Sequence, residues 1–310
     1  MSANLTDLWT IQFSTNLELK LQQMGSKLRS LVRSGTHTGA RMASPVQEIG
    51  NVTLRRPAGR FTPMPRQDAA FTRRWVFPID GELPQLIDSF DELKTMIDPK
   101  SQYVENAANA VGRGYDDEVI AAFVRTSYIG RDASELTTES FDTSAFRIAV
   151  DHGASAATGL TVEKLLEARR VFRHYEVDID NEPLTLVIGS LQEKELLSQT
   201  EVVSQEFNDK PVLQDGKLQR FLGFNIVCSE RLPTYTTTTR GVIAFAKSGM
   251  YLGMWKDMSN RVSIRNDLSG EPWQLYTSVA FGATRLQPGK VLQIACADAT
   301  GAAIVDPPLA

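Results

Sequence analysis

The chain has 310 residues, of which 42% are hydrophobic and 23% charged, with two cysteines, three histidines and a formal net charge of −4. That is enough apolar material for two ordinary domains or one large one, and it excludes a chain disordered throughout. No apolar run approaches the roughly 18 residues of a membrane-spanning helix, and the first residues lack a basic-then-apolar secretory pattern, so a soluble intracellular product is expected. Charge is unevenly spread. Residues 1–76 carry eleven Lys and Arg against four Asp and Glu, which leaves the acidic surplus to the remainder. This division suits a basic part that touches the acidic part of another copy, or a polyanion.

Residues 3–33 repeat Leu5, Leu8, Ile11, Leu17, Leu21, Met24, Leu28 and Leu31 among Lys20, Lys27, Arg29 and Arg33, the pattern of an amphipathic helical arm with no partner of its own. Gly35 to Ala43 reads as a linker. Residues 44–78 read as a two-stranded excursion with a long proline-rich tip, made basic by Arg55, Arg56, Arg60, Arg66, Arg73 and Arg74. A lone hairpin of this kind is marginal in water, so another chain is expected to hold it. No base-reading motif accompanies these arginines, which favours a protein contact over a nucleic-acid finger.

An acidic segment with a short helix at 84–97 leads to the strongest pattern in the chain, a helix over 98–129. Asp98 can cap it and Pro99 fits its first turn, while Val104, Ala108, Val111, Tyr115, Val119 and Phe123 form one apolar stripe. Glu105, Asp116, Asp117 and Glu118 are expected on a solvated or interface-facing side. Gly112 and Gly114 each cost about 1 kcal/mol relative to alanine inside a helix, which marks either close packing or a flexure point.

Beyond it, 141–150 reads as a strand, Thr161 caps a helix running to 177, residues 184–190 form a short buried strand, and 191–199 begin another helix. This alternation suggests an α/β-like module. Residues 218–229 read as a strand with Gly223 at a bulge or close contact, 234–239 as a polar loop, the following stretches as short β elements, and 299–310 as a loose tail.

Reaction chemistry is missing. Cys228 and Cys296 lack a Cys or His a few residues away, and they read as reduced thiols. His37, His152 and His174 fall in a linker, a small-residue loop and a helix end. The glycines of 112–117 and 282–285 lack the strand-then-helix context of a phosphate cradle. The carboxylates at 116–118 and at Asp178, Asp180 and Glu182 read as solvated faces. No catalytic residue, cofactor or metal is expected.

The order of parts nevertheless resembles a known family. DPKSQYVENAANAVGRGYDDEVIAAF, LTLVIGSLQEKELLSQ, LQRFLGFNIVCSERLP and RNDLSGEPWQLYTSVAFGATRLQPGKVLQIAC, in this order, are similar to segments of the major capsid proteins of tailed double-stranded DNA bacteriophages. The resemblance implies an α+β fold of the Hong Kong 97 type. Its parts are an N-arm at 1–43, an E-loop hairpin at 44–78, a first P-domain part at 79–154 with the spine helix 98–129, an A-domain at 155–245, and return strands and tail at 246–310. It implies hexamers and pentamers closing an icosahedral head around double-stranded DNA, in the virion and assembled in the bacterial cytoplasm. An encapsulin-like compartment shell is the alternative.

The expected inter-subunit contacts of the E-loop are Arg55, Arg56, Arg60, Phe61, Arg66, Arg73, Arg74 and Trp75. Lys20, Lys27, Arg29 and Arg33 are the N-arm candidates for the inner surface and its DNA, and Gly112 and Gly114 for flexure of the spine. The family's type member crosslinks its subunits through an E-loop lysine, whereas residues 44–78 here contain no lysine, so a noncovalent shell is expected. No counterpart of the long N-terminal scaffolding extension of some relatives is read in residues 1–43, so a separate scaffolding protein is expected. A separate scaffolding protein, a portal protein and a decoration protein are the further partners implied, and no membrane.

Overall fold

The structure, a computed structural model, describes residues 22–39, 41–56, 59, 66–87, 100–132, 134–199, 219–236 and 238–298. Readings made for residues 1–21, 60–65, 88–99 and 299–310 lie outside the described residues. The chain divides into two compact units, one of residues 1–26, 80–113 and 256–280, the other of 27–79, 114–255 and 281–310.

The long helix is present as α1 (Lys100–Val124). It ends earlier than its pattern suggests. After the Arg125 N–H donates to the Ala121 carbonyl at 3.0 Å, the chain turns into strand β5 (Ser127–Gly130), so the expected continuation to Ile129 is corrected. The cause is tertiary: β5 pairs with β3 (Phe71–Val76) in the register Arg74 to Ile129 and Trp75 to Tyr128, and these residue types fit a pleated surface as well as a helix.

Fifteen strands are described, in three sheets. Strand β1 (Arg33–Thr36) runs parallel to β13 (Met250–Ile264), and with β14 (Trp273–Arg285) and β4 (Ile79–Ile87) makes a sheet in the order β1-β13-β14-β4. Two expectations fail here. Arg33–Thr36 is a strand where an arm and a linker were expected, and the described residues from Gln22 to Val32 form turns without a helix. Residues 84–87, the expected start of a helix, continue β4, whose exposure alternates residue by residue from Gly81 to Leu86.

Strand β2 (Ala43–Ile49) pairs antiparallel with β3, and β3 with β5, which pairs in turn with β6 (Thr137–Glu139). The expected two-stranded excursion is therefore rooted in a four-stranded sheet of its own chain.

The largest core lies under a seven-stranded sheet. Its path is β7 (Arg147–Ile148), β15 (Val291–Ala297), β12 (Thr239–Ala246), β8 (Leu184–Ile188), β10 (Phe224–Cys228) and β9 (Arg220–Phe221), with β11 (Thr234–Thr236) on β12. All five residues of β8 are buried, as expected of a short apolar run covered on both faces. Against this sheet lies a helix that we label α3 (Val162–His174), whose Leu165, Ala168, Val171 and Phe172 join Leu186, Ile188, Phe224 and Ile294 in one cluster. Thr161 caps α3 as expected, its hydroxyl accepting the Lys164 N–H at 3.4 Å. Before it, α2 (Thr143–Phe146) and the two-residue β7 replace the strand expected over 141–150, because Asp142 accepts from the N–H groups of Ser144 and Ala145 and starts a helical turn. After β8, α4 (Ser190–Leu197) follows as expected.

Two further corrections concern turns. Residues 220–228 form a hairpin, with Leu222 and Gly223 both at positive φ (49° and 88°) in its two-residue turn, so Gly223 serves a tight reversal rather than a bulge. The threonine run expected as a loop supplies β11, which pairs Thr234 with Arg240.

Candidate subunit interface

The root of the basic hairpin is fixed by charge as well as by strand pairing. Arg74 is buried and forms ion pairs with Glu139 and, at 3.6 Å, with Glu48. Its charge is spent inside the chain, which corrects its assignment to a subunit contact. Trp75 donates from Nε1 to the Gly130 carbonyl at 3.2 Å and is likewise tied to the root. Arg73 lies 4.0 Å from Asp132, and Arg66 bonds Asp68 at 2.8 Å, both in exposed surroundings where such pairs stabilise by at most about 1 kcal/mol. These two remain open to exchange partners.

Further out, Arg55 and Arg56 are exposed and no described residue pairs with them. Arg60 and Phe61 lie outside the described residues. Around the cations sit apolar side chains that a monomer has no use for: Leu54 is 98% exposed, Ile49 64%, Phe71 59% and Val52 56%. Isolated exposed apolar residues are normal, but four on one excursion among arginines form the mixed patch typical of a contact surface. A groove of about 730 Å³ opens at its base, lined by Gln47, Arg66, Phe71, Arg73, Arg131 and Asp132.

The N-terminal cations behave differently. Asp116, expected on a solvated face, is fully buried, and its two carboxylate oxygens accept the backbone N–H groups of Lys27 and Leu28, each at 3.0 Å. A buried carboxylate is tolerated because it is hydrogen-bonded. The Lys27 ammonium donates to the Cys228 carbonyl at 2.8 Å, and the Arg29 guanidinium lies 5.2 Å from the centroid of the Tyr115 ring. Two of the four expected inner-surface cations are thus engaged with their own chain; Arg33 is exposed on β1, and Lys20 lies outside the described residues. Asp117 is held by a bidentate pair with Arg231.

α1 runs unbroken through Gly112 and Gly114. A Cβ on Gly112 would stand 2.5 Å from the Gly25 carbonyl carbon and 2.7 Å from the Ser26 nitrogen, so the missing side chain lets another backbone pass. That segment is pinned to α1 by Gly25 N–H to Asn109 Oδ1 (3.0 Å), Gln22 Nε2 to Asn106 Oδ1 (3.1 Å) and Arg113 Nη1 to Gln22 Oε1 (2.7 Å). Gly114 meets only the Phe281 ring tip at 3.7 Å, an ordinary contact. Gly112→Ala is therefore expected to displace residues 22–26 and hasten their proteolysis, despite a helix-propensity gain of about 1 kcal/mol, while Gly114→Ala leaves proteolysis unchanged. Timed limited proteolysis distinguishes the two.

Two buried cations escaped the sequence reading. Lys164 is 0% exposed and its ammonium donates to the carbonyls of Val150, Thr158 and Gly159 at 2.9 Å and of Ala295 at 3.0 Å. Burial holds its pKa below that of ordinary lysine. Its position one residue before Leu165, on the stripe that also buries Ala168, Val171 and Phe172, was the available signal. Arg285 is also 0% exposed; Nη1 donates to the Phe123 carbonyl at 2.6 Å and the Arg125 carbonyl at 3.3 Å, the guanidinium lies 5.2 Å from the Phe141 ring centroid, and burial pushes its pKa down to about 10. No local pattern announces a cation at the end of a strand.

Among the described residues, His37 and the two cysteines sit in packed surroundings. His37 shares a 2.8 Å hydrogen bond with the Tyr251 hydroxyl and lies 5.0 Å from the Trp255 ring, and burial lowers its pKa below that of an ordinary histidine. The thiols of Cys228 and Cys296 are free, and burial raises their pKa to about 11 and about 12, which makes them poor nucleophiles. Among the described residues no group of three or more His, Cys, Asp or Glu could hold a metal ion.

Comparison with known proteins bears directly on this arrangement. The capsid of cyanophage P-SCSP1u is similar over 96% of this chain and 96% of its own, at 18% identity and a TM-score of 0.70. A structure from Mycobacterium phage Che8 is similar over 92% and 96%, at 12% identity and a TM-score of 0.69, and the capsid of cyanophage Pam1 over 96% and 99%, at 12% identity and a TM-score of 0.67. These likenesses establish the Hong Kong 97-type α+β fold. No curated protein sequence matches. The sequence profile of the phage capsid protein family matches residues 5–298, nearly the whole chain. The chain belongs to that family and is a phage major capsid protein.

Proposed function

We propose that this major capsid protein closes an icosahedral head around double-stranded DNA as hexamers and pentamers joined without covalent crosslinks, through the tip of the hairpin at 44–78. The observation that carries this reading is the split within the hairpin. Its root is satisfied in its own chain by Arg74, Trp75 and strand pairing, whereas Arg55, Arg56, Leu54 and Val52 at its outer part face solvent. A monomer gains nothing from such a surface. A neighbouring copy gains both apolar burial and pairing with the acidic surplus that lies outside residues 1–76. The role is structural rather than catalytic.

A separate scaffolding protein, a portal protein and a decoration protein complete the assembly on this reading, which proceeds in the bacterial cytoplasm. Packaged DNA meets the inner surface without sequence specificity through cations such as Arg33. The family match favours a phage head over a cargo compartment.

Charge reversal provides the test. The double variant Arg55→Glu, Arg56→Glu is expected to remain a folded subunit with an unchanged unfolding midpoint, because both side chains are exposed, yet to yield few or no closed shells by electron microscopy where the unmodified chain yields them. Normal shells from the variant overturn the hairpin tip as the joining surface.

A further inference from the structure

We propose that the outer edge of β13, from Met258 to Val262, is a self-recognition edge that pairs antiparallel with the same edge of a second copy about a twofold axis through Asn260. The proposal rests on the reading of the chain as a shell subunit, since it takes another copy as the occupant.

β13 has fifteen residues, but its neighbour β1 accompanies it only from Tyr251 to Met254. The last bond on this side runs from the His37 N–H to the Met254 carbonyl at 2.8 Å. Backbone groups of alternate residues point to the same edge of a strand, so those of Met258, Asn260 and Val262 follow Met254 outward. The Met258 N–H bears this out: it is met by the carboxylate of the adjacent Asp257 at 2.9 Å. Among the described residues no strand covers the edge from Lys256 to Ile264, where Lys256, Asp257, Ser259, Asn260, Arg261, Val262 and Ile264 are all exposed.

Soluble proteins usually blunt such an edge with proline, with a glycine-marked bulge or with an inward-pointing charge. This run has neither proline nor glycine, and its lysine is turned back, Lys256 Nζ donating to Ser278 Oγ on β14 at 2.6 Å. The side chains of Ser259 and Asn260 likewise bond β14, through Ser278 at 3.1 Å and Thr277 at 2.8 Å, which ties the strand to β14.

The sequence of the edge is complementary to itself when reversed. Antiparallel pairing centred on Asn260 sets Met258 opposite Val262 of the second copy, and Val262 opposite its Met258, so that two apolar pairs flank the axis. Asp257 then lies diagonal to Arg261 of the second copy, within reach of a long side chain. Because the outward backbone groups belong to the even-numbered residues, Asn260 and its symmetry mate form a hydrogen-bonded pair with Cα atoms about 5.5 Å apart. Moving the axis by one residue keeps the same backbone groups facing outward but loses both Met258–Val262 pairs: an axis at Arg261 sets Arg261 opposite its own mate, and one at Ser259 sets Met258 opposite Asn260, so the side-chain match favours the axis at Asn260.

The test is position-specific crosslinking in assembled shells. Particles of N260C, checked by electron microscopy, are treated with a methylene-bridged bis(methanethiosulfonate) and run on a non-reducing gel. Most of the protein is expected as dimer. V262C alone is expected to give only the background of the unmodified chain, because its mate lies four residues away along the paired strands, on the order of 13 Å. The double variant M258C/V262C restores the dimer and serves if N260C fails to assemble. Shells that contain no dimer, or equal dimer from N260C and V262C, overturn the pairing but leave the shell reading intact. Failure of the unmodified chain to form shells overturns both.

Discussion

Arg285→Ala is expected to cost the subunit about 3–5 kcal/mol, enough to consume much of the total stability of an ordinary domain. Three losses combine. The Phe123 carbonyl is one of the last four of α1, which have no acceptor role within the helix, and Arg285 supplies its donor at 2.6 Å along with the favourable positive charge at a helix C-terminus. The Arg125 carbonyl loses the same partner, and the guanidinium leaves a hole beside Phe141 in a packed interior. Arg285→Lys is not expected to rescue, because an ammonium cannot span both carbonyls in the plane that the guanidinium uses. Urea unfolding measures the loss, and hydrogen exchange at Ser127–Gly130, just beyond the helix end, should rise before global unfolding does. An unfolding midpoint within about 0.5 kcal/mol of the wild type contradicts the assigned role.

Lys164 carries the second large effect. Its three N–H donors serve four carbonyls, which tie the loop at 150–159 to α3 and β15. Some of these acceptors have other donors: Thr158 N–H reaches Val150 at 3.0 Å, and Ala297 N–H reaches Thr158 at 2.9 Å. Gly159 has none among the described residues. Lys164→Met keeps the stem and also removes the cost of burying a charge, so a net loss of about 2 kcal/mol is expected, whereas Lys164→Ala adds a cavity and loses about 4 kcal/mol. The pH dependence has a definite sign. Burial lowers the folded-state pKa, so between that value and the unfolded value the unfolded chain binds more protons and stability rises with pH. The advantage of the wild type over Lys164→Met should therefore grow from neutral pH towards pH about 10. An advantage that does not change with pH places the ammonium in water, and a shrinking one means that the fold raises its pKa instead.

What the sequence allowed to be read follows from where each signal is stored. α1, α3 and β8 carry their own periodicity, apolar run or cap within a contiguous stretch, and they appear close to where expected. β1 and β5 are four residues each and exist because of partners far along the chain, β13 and β3, so no local pattern distinguishes Arg33–Thr36 from a linker or Ser127–Gly130 from the end of a helix. Charges misled for the same reason. Asp116, Lys164, Arg74 and Arg285 look like surface residues until the backbone or counter-charge that satisfies each is brought to it by the fold. The hairpin was legible as an excursion, but its root was not, because β5 lies beyond the whole of α1. The division into tied and open cations, with Arg74 and Lys27 on one side and Arg55 and Arg56 on the other, needs three-dimensional contacts by its nature.

The clamped root of the hairpin gives it the mechanics of a cantilever. β3 is gripped on both sides, by β2 and β5, and Arg74 bolts the sheet to Glu48 and Glu139, whereas beyond Ile49 and Phe71 the described residues of the two limbs are joined by the Gly50 N–H bond to the Ala70 carbonyl at 2.7 Å and by a long bond from Gln67 Nε2 to Thr53 Oγ1 at 3.5 Å. A load applied at the tip by a neighbour therefore bends the limbs just past Gly50 and leaves the root undeformed. In the proposed assembly, rings of five and of six copies differ in the angle at which neighbours meet, and one chain would serve both by taking up that difference in the compliant outer limbs while every root stays the same.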